Sequence, residues 1–277
     1  MRSMNASLSA AAIAAWAQTA ASHVAVEVVG QTASTNADLL ARVGQLVQPT
    51  LLAAASQTAG RGRAGRTWMS DAGASLTFSL AWPVRRSLRE LSGLPLAVGV
   101  ALADTLASCA VPVRLKWPND LLMDGAKLGG ILIETALEKS GGGQQLWAVI
   151  GVGMNLALPE ELARQIGRPA AALPGAAIQD RNRLLGLLLN GLAGALLQFE
   201  REGFAAFMTR WNALHAWAGQ AVQILDHDRI VLEGVAVGVD AQGQLLLDTA
   251  DGRVPVLAGD VSLRMKDEGG VSHVVAG

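Results

Sequence analysis

The sequence predicts an α+β fold with a small all-β unit appended at its C-terminal end. Three observations carry this expectation. Short runs rich in β-branched and aromatic residues alternate with apolar helical stripes up to about residue 218. At Gly219 the character changes, and only short alternating strands separated by Asp/Gly turns follow as far as Arg264. With 277 residues, 51% of them hydrophobic and 16% charged, the chain can bury one large core and a smaller one. The expected division is therefore 1–218, 219–265 and a frayed tail, 266–277.

Taken in order, residues 1–22 are alanine-rich, carry only Arg2 as a positive charge and are interrupted by Ser7 and Ser9. They read as an amphipathic or frayed first helix rather than a signal peptide. Residues 24–29 (VAVEVV) read as a strand, and Ser34 stands where a cap belongs for a helix over 36–43. Ser34, Thr35 and Asn36 stand at this strand-to-helix turn, where hydroxyls have two readings, as caps or as hydrogen-bonding partners of a polar ligand group beside the basic loop. Residues 51–55 form a second strand and 76–82 a third. Leu91, Leu94, Val98, Leu102 and Leu106 recur at three and four, the stripe of a buried helix. In 113–135 a short strand ends at Lys116-Trp117, Pro118-Asn119-Asp120 turns the chain, and Asp124-Gly125 is a hairpin signal ahead of Lys127 and a strand over 128–133. Asp120 and Lys127 are either exposed turn charges or part of a site. Residues 140–145 read as a hairpin tip. Residues 146–155 read as a strand whose Gly151 and Gly153 call for close approach of a backbone or ligand. Residues 156–179, rich in Ala, Pro and Gly, read as a connection or lid. Beyond Asp180 come a helix with an apolar face from Leu184 to Phe199 and a shorter one to about Leu214.

The stretch with most chemistry in it is QTAGRGRAGRTW, 57–68, with three arginines and three glycines between Gly60 and Arg66. Glycine permits close approach and positive φ, and arginine offers planar donors that fit carboxylate or phosphate. Three like charges among small residues give the loop little reason to pack without a ligand, so mobility is expected over 61–70. Gly60, Gly62 and Gly65 also satisfy G-x-G-x-x-G, but a strand follows where a dinucleotide fold needs a helix, so that fingerprint is rejected.

Composition narrows the classes further. Lys+Arg 22 against Asp+Glu 23 leave a net charge of −1, no global footprint for DNA or an anionic membrane, so the local arginines point to a small anion. No run approaches the roughly 20 apolar residues of a membrane span. Cys109 is the one cysteine, which fits a reducing, cytoplasmic setting, and the four histidines show no zinc spacing, so no protein-ligated metal is expected.

Ser34-Thr35-Asn36, GRGRAGR, KWPND (116–120), KLGGILIE (127–134) and GVGMN (151–155), in this order, together resemble the biotin protein ligase family, and GDVSLR (259–264) resembles the end of its SH3-like appendage. The likeness runs from about residue 24 to 264. It implies a mixed sheet with helices, related to class II aminoacyl-tRNA synthetases, and ligation in two steps. Biotin and ATP with Mg2+ give biotinyl-5′-AMP, and the acyl group passes to a lysine of the biotin carboxyl carrier protein of acetyl-CoA carboxylase. By the family pattern, Ser34, Thr35, Asn36, Gln57, Gly60, Arg61, Gly62, Arg63 and Lys127 surround biotin. Arg63, Arg66, Trp68, Asn119 and Asn155 surround the nucleotide, and Lys127, Arg63 and Asp120 act in catalysis. Residues 156–179 lack the tryptophan with which some members cover the adenine, which leaves 169–177 to close the site differently. Too few residues precede Val24 for a winged helix, so an enzyme without DNA binding is expected, as monomer or homodimer. Two rivals remain open, a lipoate- or octanoyl-protein ligase and a non-enzymatic biotin- or nucleotide-binding module.

Overall fold

The computed structural model describes residues 7–18, 20–140, 143–167, 169–175, 180–227, 229–259 and 261–266. Seven strands form the main sheet: β1 (Ala25–Thr32), β2 (Thr50–Gln57), β3 (Ser75–Val84), β4 (Arg114–Lys116), β5 (Asp120–Met123), β6 (Ala126–Ser140) and β7 (Gly143–Asn155). Their order is β1-β2-β3-β7-β6-β5-β4, with β1 and β2 parallel and the other neighbours antiparallel. The helices are α1 (Ala10–Ala14), α2 (Thr35–Ala41), α3 (Leu94–Ser108), α4 (Glu160–Ile166), α5 (Arg181–Glu202) and α6 (Ala205–Leu214).

Strand periodicity decides which face carries what. Phe78, Leu80 and Trp82 of β3 and Ile150, Val152 and Met154 of β7 join α3 and α5 in the main core. Burying side chains such as Phe199 and Leu192 of α5 there contributes about 1.5–3 kcal/mol each. The intervening residues point the other way, where Leu52, Ala81 and Val149 pack under Leu39 of α2. Continuing that second face along β3 and β7 by steps of two reaches Ser79, Gly151 and Gly153, and the candidate site stands on them.

Local signals account for most boundaries. Asp180 accepts from the amides of Asn182 and Arg183 at 2.9 and 3.1 Å and starts α5, and Gly203 with φ of 70° ends it. Ser34 caps α2 by accepting from Ala37 N at 3.4 Å. Asp124 and Gly125, with φ of 49° and 77°, make the expected tight hairpin. Other boundaries differ from the expectation. Ser9 does not break the first helix but caps it, and that helix is only Ala10–Ala14. Asp120 is the first residue of β5 rather than part of the turn. β6 runs on to Ser140, and Gln144 and Gln145 belong to the β6–β7 ladder, so of the expected hairpin tip only residues outside the description remain. The expected connection at 156–179 contains α4, ended by Gly167 in the left-handed region, with φ of 62°.

The run Leu88–Ser108 reaches a mean hydropathy of 1.5 over an 18-residue window, long and apolar enough to cross a membrane, which corrects the expectation that no run approaches one. Its apolarity has an internal cause, since 67% of that window is buried and α3 packs against α5, α6 and the sheet.

Residues 221–265 form a second, antiparallel sheet of β8 (Ala221–Asp226), β9 (Arg229–Val239), β10 (Leu245–Thr249), β11 (Gly252–Val256) and β12 (Val261–Met265), in the order β11-β10-β9-β8-β12. It matches the expected SH3-like unit. Trp117 Nε1 donates to Gly243 O at 3.2 Å and Asn212 Oδ1 accepts from Val239 N at 2.8 Å, so both sheets are tied together beside the KWPND turn. The expected tail lies outside the described residues after Lys266.

Beneath that junction His215 is 1% exposed and stacked on Trp211 with ring centroids 4.8 Å apart, and neither ring nitrogen has a hydrogen-bond partner. Burial, helped by the nearby charge of Arg114, pushes its pKa down to about 4. Above pH 6.5 the ring is neutral in folded and unfolded chains alike and titration contributes nothing. As pH falls from about 6.5 to 4 the unfolded chain takes the proton first, so stability is lost, on the order of 3 kcal/mol in total. Thermal unfolding of His215→Phe, which keeps a ring on Trp211, should show a smaller fall in Tm between pH 7 and 4.5 than the unaltered chain. Identical pH profiles would exclude His215 as the cause.

Candidate active site

A single cavity on the second face of the sheet gathers Ser34, Thr35, Asn36, Gln57, Arg61, Gly62, Arg63, Arg66, Trp68, Asn119, Asp120 and Lys127. Of the residues singled out from the sequence, Gly60 and Asn155 are not in its wall. Gly60 is where the loop closes on itself: its carbonyl accepts from Trp68 N at 2.9 Å, and a Cβ there would meet the Trp68 carbonyl at 2.5 Å. Its smallness serves the closure of the loop.

One end of the cavity is a row of oxygens. Gln57 Oε1 accepts from Thr35 N at 2.7 Å and lies 3.1 Å from Thr35 Oγ1, which lies 2.6 Å from Ser79 Oγ, which in turn lies 2.5 Å from Asn36 Oδ1. Thr35, Ser79 and Asn36 are all buried. Three oxygen–oxygen contacts thus share two hydroxyl protons, because Asn36 spends its amide hydrogens on Glu134 Oε2 at 2.9 Å and Leu132 O at 3.3 Å. The row is short of donors, and a ligand with N–H groups supplies what it lacks.

The other end is cationic. Arg61, Arg63, Arg66, Lys116, Lys127 and Arg264 line the cavity, with Asp120 as the acidic residue among them. Lys127 Nζ lies 2.5 Å from Asp120 Oδ1 and Lys116 Nζ 3.7 Å from Oδ2, so the carboxylate is held between two ammonium groups. Neither Asp120 nor Lys127 is an exposed turn charge, since their side chains are 14% and 20% exposed. Such clustering on a chain of net charge −1 marks a place for a polyanion.

The basic loop is not the unpartnered segment its composition suggests. Arg61 pairs with Glu134 at 2.8 Å, and Arg63 donates to Asn119 Oδ1 at 3.4 Å and to the carbonyl of Gly259 beyond β11. Gly62 N donates to Arg66 O at 2.6 Å around a tight turn in which Ala64 and Gly65 take φ of 52° and 69°. Asn119 in turn donates to Ile131 O at 2.7 Å, so its placement serves Arg63. The Arg66 guanidinium has no hydrogen bond or ion pair among the described residues.

Trp68 crosses β7 directly over Gly153, where any Cβ would overlap the indole, and Lys127 Nζ stands 6.0 Å from the ring centroid. Behind it a second cavity is lined by Trp68, Lys127, Asn155, Ile166, Gly167 and Ala170, among others. Asn155 donates to Ala171 O at 2.9 Å, but its Oδ1, like Trp68 Nε1, is buried without a partner. The chain after α4 is pinned here, with Ala171 N donating to Lys127 O at 2.8 Å. Residues 169–171 of the expected closing segment therefore flank Lys127, Leu173 N donates to Asn155 O at 3.0 Å, and 176–177 fall outside the description.

Sequence reasoning gives no role to Ser79, Lys116, Glu134 or Arg264. Lys116 and Glu134 lie within quoted motifs, but their partners, Asp120 across a turn and Arg61 on a distant loop, are set by the fold.

Known proteins share both halves of this arrangement. The profile of the Biotin/lipoate A/B protein ligase family matches residues 27–155, and that of the Biotin protein ligase C terminal domain matches 218–264. The bifunctional ligase/repressor BirA of Escherichia coli is 38% identical over 238 residues, 85% of this chain and 73% of that one. The biotin--[acetyl-CoA-carboxylase] ligase of Mycobacterium tuberculosis is 39% identical over 246 residues, 85% of this chain and 88% of the relative. The chain belongs to the biotin protein ligase family. Among solved structures, the biotin protein ligase of Aquifex aeolicus in complex with biotin and ATP matches with a TM-score of 0.67 at 26% identity, covering 87% of this chain and 99% of that one.

Within this member of the biotin protein ligase family the seat of Trp68 is testable. Gly153→Ala forces a methyl group into the indole, and overpacking of this kind costs about 1–3 kcal/mol. Urea unfolding should show that loss with an unchanged m-value. A variant as stable as the parent would mean that Trp68 moves aside freely.

Proposed function

We propose that the chain is an ATP-dependent biotin protein ligase that makes biotinyl-5′-AMP and passes the biotinyl group to a lysine of the biotin carboxyl carrier protein of acetyl-CoA carboxylase, in the cytoplasm. The observation that carries this reading is one cavity with a donor-poor oxygen row at one end and six basic side chains at the other. The ureido ring of biotin brings N–H donors to Thr35 and Gln57. Its carboxylate and the ATP phosphates bring negative charge to Arg63, Arg66 and Lys127. Lipoate and octanoate have no N–H donors and leave the row unmet, which favours biotin. A module that only binds has no need of Asp120 and Lys127 in contact within the same cavity.

In the first step a biotin carboxylate oxygen attacks the α-phosphorus, the new P–O bond forms, and the bond to pyrophosphate breaks. Two anions meet there, so Lys127 and the arginines oppose their repulsion and stabilise the charge that concentrates in the transition state. In the second step a neutral lysine Nζ of the carrier attacks the acyl carbon, the C–N bond forms, the acyl C–O bond to the phosphate breaks, AMP leaves, and the nitrogen gives up its extra proton to solvent. Asp120 would orient that amine, which reaches it by displacing one of the two ammonium groups now held there. The second cavity suits the adenine, with Asn155 Oδ1 an open acceptor for its amino group and Trp68 a wall. Mg2+ would arrive with the phosphates of ATP, the usual way this ion enters a nucleotide site.

Labelled pyrophosphate should exchange into ATP when biotin is present, and lipoate should not substitute for it. Exchange with lipoate and none with biotin would overturn the substrate. Lys127→Met keeps the apolar stem and leaves Asp120 its Lys116 partner, so the fold should survive. Single-turnover adenylate formation should fall on the order of 10²–10³-fold, as on loss of one oxyanion donor. A stable variant that adenylates normally would remove Lys127 from the catalytic set.

A further inference from the structure

The oxygen row has an end that the reaction does not use, and that end sets its polarity. Glu134 on β6 receives two donors on one oxygen, Asn36 Nδ2 at 2.9 Å and Arg61 Nη2 at 2.8 Å. Because a carboxylate only accepts, it holds the amide of Asn36 with nitrogen toward β6 and oxygen toward β3, an orientation that Leu132 O reinforces. Asn36 Oδ1 therefore accepts from Ser79, and the one proton of Ser79 is spent. Ser79 Oγ then has only lone pairs to offer Thr35, 2.6 Å away, so the proton of Thr35 goes to Ser79. The longest of the three gaps, 3.1 Å between Thr35 Oγ1 and Gln57 Oε1, is the one left without a proton. The Gln57 amide cannot turn over to fill it, since Oε1 is fixed by Thr35 N at 2.7 Å. Asn36 cannot swing away either, because it is seated on the bare backbone of Gly151, where a Cβ would overlap its amide.

We infer that Glu134 is a positioning residue that sets the direction of the chain Thr35→Ser79→Asn36, and so makes Thr35 Oγ1 and Gln57 Oε1 a pair of acceptors for the N–H groups of the bound ring. The inference rests on the reading of this cavity as a biotin site. Replacing the carboxylate with an amide, as in E134Q, removes the direction. The new amide can donate to Asn36 Oδ1, Asn36 can then turn its Nδ2 toward Ser79, and the proton of Thr35 is released to Gln57. Both acceptors facing the ligand are consumed at once. Ser79→Ala interrupts the same chain one bond further on while leaving the Glu134–Arg61 pair in place.

Calorimetric titration of biotin into the full chain tests this on four proteins: unaltered, E134Q, S79A and the double variant. Each single substitution should weaken biotin binding about 10- to 100-fold, the effect of turning one buried acceptor away from its donor. The double variant should be no weaker than the worse single, because both changes break one chain. A purely structural role for either residue predicts independent losses that multiply. Binding within about 3-fold of the unaltered chain in S79A, or losses that multiply in the double variant, would overturn the inference. If E134Q unfolds early in thermal melts, S79A alone decides, since its ion pair and loop are untouched. An unaltered chain that binds no biotin would instead overturn the proposed function, and this inference with it.

Discussion

Two missing side chains on β7 determine the form of the site. Gly151 and Gly153 lie on the sheet face opposite α3 and α5, where neighbouring positions of β3 and β7 carry Ala81 and Val149 under α2. A methyl group at 151 would overlap Asn36 and one at 153 would overlap Trp68. With both positions bare, the first turn of α2 and the strap after the basic loop lie directly on backbone, and Ser79, paired with Gly151 across the ladder, reaches Thr35 and Asn36 of α2. The cost of two strand glycines, roughly a kcal/mol each in lost propensity, is offset by the buried contacts that then form. The hollow between those contacts is the cavity.

Charge is handled by the same logic of close internal partners. Arg61 is paired with Glu134, Lys116 and Lys127 share Asp120, and Arg63 is spread over Asn119 and Gly259. Each of these four cations keeps an acceptor while no anion is bound, which limits the cost of packing so much positive charge around one space. Arg63 also crosses from the main sheet to the segment between β11 and β12, and Arg264 enters the cavity from β12. The second sheet is thus part of the wall and not merely attached to it.

Much of this is legible in the sequence, for reasons that are local. The cap at Ser34, the Asp124-Gly125 hairpin, the glycines of β7 and the apolar stripe of α3 each announce themselves within a few residues. The motifs GRGRAGR, KWPND and GVGMN each supply residues to the lining of one cavity, and glycine, arginine and an Asn-Asp pair have few other reasons to be together. What is not legible depends on residues far apart in the chain. Arg61 and Glu134 are 73 positions apart, and Arg63 and Gly259 are 196, so no window shows that the loop is pinned. Nor does any window show that Gly60 is bare because the Trp68 carbonyl passes 2.5 Å from where its Cβ would stand. Helix α4 hides in an Ala/Pro-rich stretch, although Glu160 and Glu161 in its first turn and Gly167 at its end are ordinary helix signals.

The pairing of the cavity's cations, Arg66 apart, has a consequence for how ligands are felt. A phosphate that enters must share or replace an acceptor already in place, and each acceptor belongs to a different element: Glu134 to β6, Asp120 to β5, Gly259 to the second sheet. Asp120 joins Lys127 across the β5–β6 hairpin, and Arg63 joins the basic loop to the segment between β11 and β12. Glu134 is the exception in one respect, since it holds both a loop arginine and the amide that orients the oxygen row. The Arg61–Glu134 pair thus joins the basic loop to Asn36 and, through Ser79, to Thr35. If an anion at the basic end alters the Arg61–Glu134 pair, thermodynamic reciprocity requires that a ring in the oxygen row act back on the basic end.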